Sequence, residues 1–184
     1  MKKIKIKWNS ERLLSLTAMT LSFITLVIFI YQTNLMSKQN YLSILPYLNI
    51  SSTLDNENNI FELNISNHGV GPAIIESVRL DYKGEEYKLE DYNDNIFEFL
   101  KSESSLFDSI QGISTSTLEK GLAIPINSTY NVIRTSNALK DYQVITNGFN
   151  NIIREGLVCK IVYKSIQDEK WLIHNDSSGP KKLD

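Results

Sequence analysis

With one cysteine in 184 residues, Cys159, this chain cannot form an intramolecular disulfide. Any folded part must therefore hold together through its own core. Histidine is nearly as scarce, His68 and His174 being the two present. Carboxylates would have to complete a zinc site, and no short ligand spacing ties these residues together. No Gly-x-Ser-x-Gly elbow offers a serine nucleophile. Gly69-Val70-Gly71 lacks the third glycine of a dinucleotide fingerprint, because Ile74 stands in its place. Asp91-x-Asn93-x-Asn95 opens like a calcium loop, but Ile96 replaces the glycine at the sixth position and Ser102 the glutamate at the twelfth. Glu85, Glu86, Glu90, Asp91 and Asp94 then read as a solvated acidic face. Cys159, set among Leu157, Val158 and Ile161, reads as a small buried hydrophobe. No catalytic, cofactor or metal site is expected, and the chain reads as not an enzyme.

Charge is also missing where it matters most. No charged residue occurs from Leu13 to Ser37, and Leu13–Tyr31 is almost continuously apolar or small. As a helix, Leu13–Tyr31 would span roughly 28 Å, close to a hydrocarbon core about 30 Å thick. Trp8 and Tyr31 flank the run, as interfacial aromatic rings do. The run is too long for the apolar part of a signal peptide, and no Ala-x-Ala-like site follows it. The reading is an uncleaved anchor in the lipid bilayer.

Residues 1–40 carry six cations (Lys2, Lys3, Lys5, Lys7, Arg12, Lys38) against Glu11, a balance of +5. The whole chain stands at −2, which leaves −7 for residues 41–184. Five of the six cations precede the apolar run, and the positive-inside rule puts that end in the cytoplasm. The following domain is then expected outside a cell inner membrane, and its acidity argues against nucleic acid. The wealth of Asn, Ile and Lys suggests a bacterial source. The expected layout is a basic N-terminus 1–12, a transmembrane helix 13–35, a neck 36–46, a β domain 47–176 and a loose polar tail 177–184.

Period-2 alternation begins after Pro46. Residues 47–51 suggest a strand, 55–59 a polar turn, and 60–66 a half-buried strand. The stretch 67–72 breaks the pattern, 73–82 resumes it, and Lys83-Gly84 turns into 85–89. Ile96, Leu100, Phe107 and Ile110 share one helical face, predicting a helix over 95–111 with Asn95 as N-cap and Glu98 completing a capping box. Residues 112–134 return to strand-like composition. Ala138, Tyr142, Ile145, Phe149 and Ile152 predict a second helix over 137–154, with Gly148 counting against it. A hairpin over 157–174 closes the pattern. About seven strands that mostly follow one another directly predict a β-sandwich with one or two helical insertions.

The segment NISNHGVGPAIIESVRL, residues 64–80, resembles the strand–turn–strand of Ig-like CARDB-type domains, in which N-x-G-x-G-x-A joins two core strands. YKSIQDEKW, residues 163–171, resembles their final hairpin. The layout is similar to bacterial single-pass membrane proteins with an N-terminal anchor and one such domain. The resemblance covers about a fifth of the chain and implies an Ig-like β-sandwich. The predicted helices at 95–111 and 137–154 depart from it.

Inside the apolar run, Ser15, Ala18, Ser22 and Thr25 recur at intervals of three, four and three, forming a row of small residues. Such rows let helix backbones approach, so a helix–helix contact and a homo-oligomer are expected there. The leading functional expectation is a non-enzymatic binding or scaffolding module that recognises an envelope protein. The alternative is a membrane effector or sensor whose β domain faces the cytoplasm, binds a small ligand and clusters the helices.

Overall fold

The computed structural model describes residues 10–183. It divides into two compact units, the second beginning at Ser43. The first is one helix, α1 (Ser10–Ser43), of 34 residues. Its stretch Ser10–Asn40 is long and apolar enough to cross a membrane. Leu14, Leu21, Phe23 and Phe29 all stand exposed along it. A helix apolar on every side suits a solvent that is itself apolar. The helix also continues unbroken through the expected neck as far as Ser43.

The second unit is mainly β, and every strand pairing in it is antiparallel. In chain order its strands are β1 (Leu48–Asp55), β2 (Ile60–Asn67), β3 (Ala73–Tyr82), β4 (Glu85–Lys88), β5 (Ile113–Thr115), β6 (Ala123–Ile124), β7 (Ser128–Thr135), β8 (Val158–Lys164), β9 (Lys170–His174) and β10 (Lys181–Lys182). One sheet runs β1-β2-β7-β5. The other runs β10-β9-β8-β3-β4, and β6 pairs with the start of β3.

Alternation explains the shared core. On β8, Cys159, Ile161 and Tyr163 point inward, and on β9 Trp171 and Ile173 do the same. Phe61, Leu63 and Ile65 of β2 join them in one buried cluster. Tyr163 and Trp171 stack with ring centres 5.9 Å apart. The outward row of β2 is also nearly buried, because it forms a polar ladder with β7. Asn131 Nδ2 donates to Asn64 Oδ1 at 2.9 Å, and Ser66 bonds Thr129 at 2.9 Å. The β3–β4 hairpin turns on Lys83 and Gly84, both at positive φ (52° and 84°) as a type I′ turn requires.

The single helix expected over 95–111 is two elements. Helix α2 (Ile96–Glu103) stops where Ser104 becomes extended at φ −153°, and a 3₁₀ turn, Ser105–Ser109, follows. All four residues of the predicted face are nevertheless buried. Asn95 caps α2 by accepting from Phe97 N at 2.9 Å, whereas Glu98 turns to Lys101 Nζ at 2.6 Å. Phe99, fully buried, meets Tyr82, Tyr87 and Tyr92 ring to ring.

Helix α3 (Leu139–Arg154) buries Tyr142, Ile145, Phe149 and Ile152 as predicted, while Ala138 is its exposed N-cap. Gly148 is explained by the Phe107 ring. A Cβ there would fall 2.7 Å from Phe107 Cζ, so close packing outweighs helix propensity at this position. The tail is not loose up to Leu183. Lys181 and Lys182 pair with Leu172 and Trp171, and Leu183 N donates to Lys170 O at 2.8 Å.

Candidate functional site

On α1 the predicted small residues line one side. Ser22 and Thr25 floor a shallow groove whose walls are Leu21, Leu26 and Phe29. Their hydroxyl hydrogens are already committed within the helix. Ser15 donates to Arg12 O (3.0 Å), Ser22 to Ala18 O (2.9 Å) and Thr25 to Leu21 O (2.8 Å). A neighbouring helix could thus use their lone pairs and the space beside them, but not their donors. Tyr31 is exposed on the same helix, and Trp8 lies outside the described residues.

The Asn67–Gly71 motif has a role that spacing did not reveal: it grips the segment leading into β1. His68 N donates to Tyr47 O at 2.8 Å and Val70 N to Leu45 O at 2.9 Å, which extends the β1–β2 ladder past Leu48. A Cβ on Gly69 would lie 2.7 Å from the Pro46 carbonyl carbon, and one on Gly71 would lie 2.8 Å from Ile44 Cα. The glycines are there because another backbone passes against them. Asn67, fully buried, ties the loop together. Its amide donates to Gly71 O (2.9 Å) and Ile124 O (3.0 Å), and its oxygen accepts from Gly69 N (2.9 Å) and Tyr47 N (3.2 Å).

The groups with intrinsic reactivity do not converge. His68 is exposed in the loop, and His174 pairs with Asp176, whose carboxyl it holds below the usual range. Cys159 is buried, and burial pushes its thiol up to about 12. Among the described residues no group of three or more His, Cys, Asp or Glu is placed to hold a metal ion. Glu85 accepts from the Tyr87 hydroxyl and Glu86 pairs with Arg79, so the acidic stretch is spread over separate partners. At the Tyr82 end of β3 a hollow of about 160 Å³ is bordered by Lys83, Glu103, Asn151 and Glu155. Tyr82 donates to Glu155, which also meets Lys83 Nζ at 3.3 Å. Burial, then the Glu155 bond, raises the Tyr82 hydroxyl, and the same bond lowers Glu155.

A second concavity lies beside β1. Ile50, Ser52, Leu63, Phe149, Ile153 and Asn175 border a groove of about 190 Å³. Five of these residues also border a deeper void of about 20 Å³ that reaches Cys159 and Ile161. Apart from Asn175 the void's lining is apolar side chains and Cys159, so it is about the size of one water molecule but offers that water few partners. No sequence pattern singles this groove out, since the absence of charge from Leu48 to Leu54 equally describes a buried strand. Compared with known proteins, the chain matches no family model, no curated protein and no solved structure.

Proposed function

We propose that the chain is a membrane-anchored, non-enzymatic binding or scaffolding module. On this reading it displays an Ig-like β-sandwich on the outer face of a bacterial inner membrane and recognises another envelope protein there. The strand order supports the Ig-like assignment: β1-β2-β7-β5 follows the A-B-E-D order, and β9-β8-β3-β4 follows G-F-C with one added strand. Helix α3, between the strands equivalent to E and F, and helix α2, before D, are insertions on that plan.

The observation that carries display is the grip on Leu45–Tyr47. The chain joins the β unit through backbone bonds to a buried-asparagine loop, so the point of attachment is part of the first sheet. The five cations ahead of the apolar run support the outward orientation. A periplasm-active reporter fused after Asp184 is expected to be active, and a reporter that fluoresces only in the cytoplasm is expected to stay dark. The reverse pattern sinks the display reading and favours the cytoplasmic sensor.

The groove over Ser22 and Thr25 supports a further part of the proposal, self-association through α1. Ser22→Leu fills it, and Ala18→Leu enlarges the preceding small residue of the row, holding backbones apart while making the helix more apolar. Crosslinking in membranes should fall several-fold in the double variant with insertion unchanged. Equal crosslinking would return α1 to the role of a monomeric anchor.

A further inference from the structure

Among the described strands β1 pairs with β2 alone, in unbroken register from Leu48 to Asp55. Which of its backbone groups remain open follows from the bonds at its two ends. His68 N donates to Tyr47 O, so the backbone of Tyr47 faces β2. Leu48 turns the other way and donates its N–H to the Tyr163 hydroxyl at 3.4 Å. At the far end Phe61, opposite Leu54, donates to Thr135 Oγ1 at 2.9 Å instead of to β1. Backbone direction alternates along an antiparallel strand, so Asn49, Ser51 and Thr53 bond β2 while Ile50, Ser52 and Leu54 face outward. The three open residues are symmetric about Ser52.

The side chains are symmetric about the same residue. Ile50-Ser51-Ser52-Thr53-Leu54 reads nearly alike in both directions: apolar, hydroxyl, serine, hydroxyl, apolar. The antiparallel strand that matches this edge is therefore the edge itself. A two-fold axis through Ser52 sets Ile50 opposite Leu54 and Ser51 opposite Thr53, which are apolar and hydroxyl pairs of the kind that stabilise adjacent strands. Asp55, the one charge on the strand, falls opposite Asn49, so no like charges meet. The other sheet edges lack this self-match: β4 holds Glu85, Glu86 and Lys88, β10 is two lysines, and β5 has three residues.

We propose that β1 is a two-fold interface between copies of this chain, a contact separate from the one proposed for α1. Ile50 pairs with the second copy's Leu54, Ser52 with its own counterpart, and each pair exchanges both backbone bonds through the groups that β2 leaves open. Leu54, 46% exposed in the single chain, comes to lie beside the other copy's Ile50. That residue rims the groove over Leu63, Phe149 and Ile153, so one pairing covers both apolar surfaces. Anchorage of both copies in one bilayer raises their effective concentration for each other.

The test uses the full chain in isolated membranes, oxidised with copper–phenanthroline and read on non-reducing gels. Across the axis the two Ser52 Cα atoms lie about 5.5 Å apart, within disulfide reach, whereas the Ser51 pair is about 8 Å apart and the Leu54 pair about 14 Å. Ser52→Cys should form a linked dimer, with Ser51→Cys and Leu54→Cys at least tenfold weaker. The wild type, whose cysteine is buried, should form none. The Ser52→Cys dimer should persist when Ala18→Leu and Ser22→Leu are added. With those two changes in place, association is read by energy transfer between C-terminally labelled chains as lipid dilutes them in liposomes. Ser52→Pro loses an N–H that faces away from β2, where an edge strand tolerates proline, and should weaken association at least tenfold. Leu54→Lys keeps every backbone bond and brings a cation to the other copy's groove. It should weaken association equally, and it decides the matter if the proline variant unfolds. Glu86→Gln, on another edge, should change it less than twofold. Equal crosslinking at all three positions, loss of the Ser52→Cys dimer with the α1 changes, or association indifferent to Leu54→Lys overturns self-pairing. A chain monomeric at every dilution overturns it too, and leaves the edge to a foreign strand. The Asp184 reporter is read independently, so outward display can stand when the edge fails.

Discussion

Replacing Asn67 by Ala should destabilise the β unit by about 3–5 kcal/mol, although no apolar contact is lost. The side chain is fully buried and satisfies four backbone groups: two carbonyls, Gly71 and Ile124, and two amides, Gly69 and Tyr47. A buried polar group left without its partner costs about 1–3 kcal/mol, and water can recover part of that at the less enclosed amides. Against a typical domain stability of about 5–15 kcal/mol the loss is large. Asn64, on the same strand, is the control. It is also nearly buried, but its partners are the side chains of Asn131 and Glu62, which can turn to water. Asn64→Ala should therefore cost only about 1 kcal/mol. Asn67→Asp should be no better than the alanine change, since it turns a carboxylate toward two carbonyls. Urea unfolding followed by circular dichroism separates these outcomes. If Asn67→Ala unfolds within 1 kcal/mol of Asn64→Ala, the loop does not grip the segment before β1 as described.

The long strands were legible because each alternates apolar with polar side chains, so β2, β3, β8 and β9 write their period into the sequence. The strands that were not separable, β5, β6 and β10, have two or three residues each. At that length a period of two carries no signal, and the pairing is set by what lies across the sheet. Lys181 and Lys182 look like a disordered tail until Trp171 and Leu172 provide a ladder for them. The helical faces were read correctly even where the elements were not. Ile96, Leu100, Phe107 and Ile110 are all buried, but Ser104 breaks the helix between them by starting a new cap. Gly148 counted against a helix in the sequence and proves to be a packing residue, because the Phe107 ring occupies the space a side chain would need.

Sites were less legible than strands. The row Ser15, Ala18, Ser22 and Thr25 follows directly from helical spacing, and a shallow groove lies beside two of its members, Ser22 and Thr25. What spacing could not show is that the hydroxyls bond back to carbonyls three or four residues earlier. The Asn67–Gly71 motif suggested a turn, which it is. Its second role depends on a segment some twenty residues upstream, a contact that no local pattern encodes. The β1 groove is likewise built from β1, α3 and Asn175, three distant parts of the chain. No sequence pattern singles it out, since the lack of charge in 48–54 equally describes a buried strand.

The lone thiol provides the second large effect. Burial holds Cys159 at about 12, against 9.0 for an ordinary cysteine. At pH 8 its thiolate fraction is then about a thousandfold lower than in the unfolded chain, so alkylation by iodoacetamide should be slower by at least that factor. Native labelling will proceed through opening and report the population of the open form. Asn67→Ala, at about 3–5 kcal/mol, should accelerate it by about two to four orders of magnitude. The same shift fixes an alkaline dependence of stability. Below pH 9 the thiol is protonated in both states and its contribution is complete. Between 9 and 12 the unfolded chain ionises while the folded one does not, so stability falls by about 1.4 kcal/mol per pH unit. Cys159→Val keeps the volume and removes that titration, and should flatten the limb between pH 9 and 10 and reduce its slope above 10, where Tyr163, also held up to about 12 by burial, continues the decline. Native labelling at pH 8 within tenfold of the urea-unfolded rate would show that Cys159 is open to solvent. The apolar void behind β1 would then have to be a channel rather than the closed end of the groove.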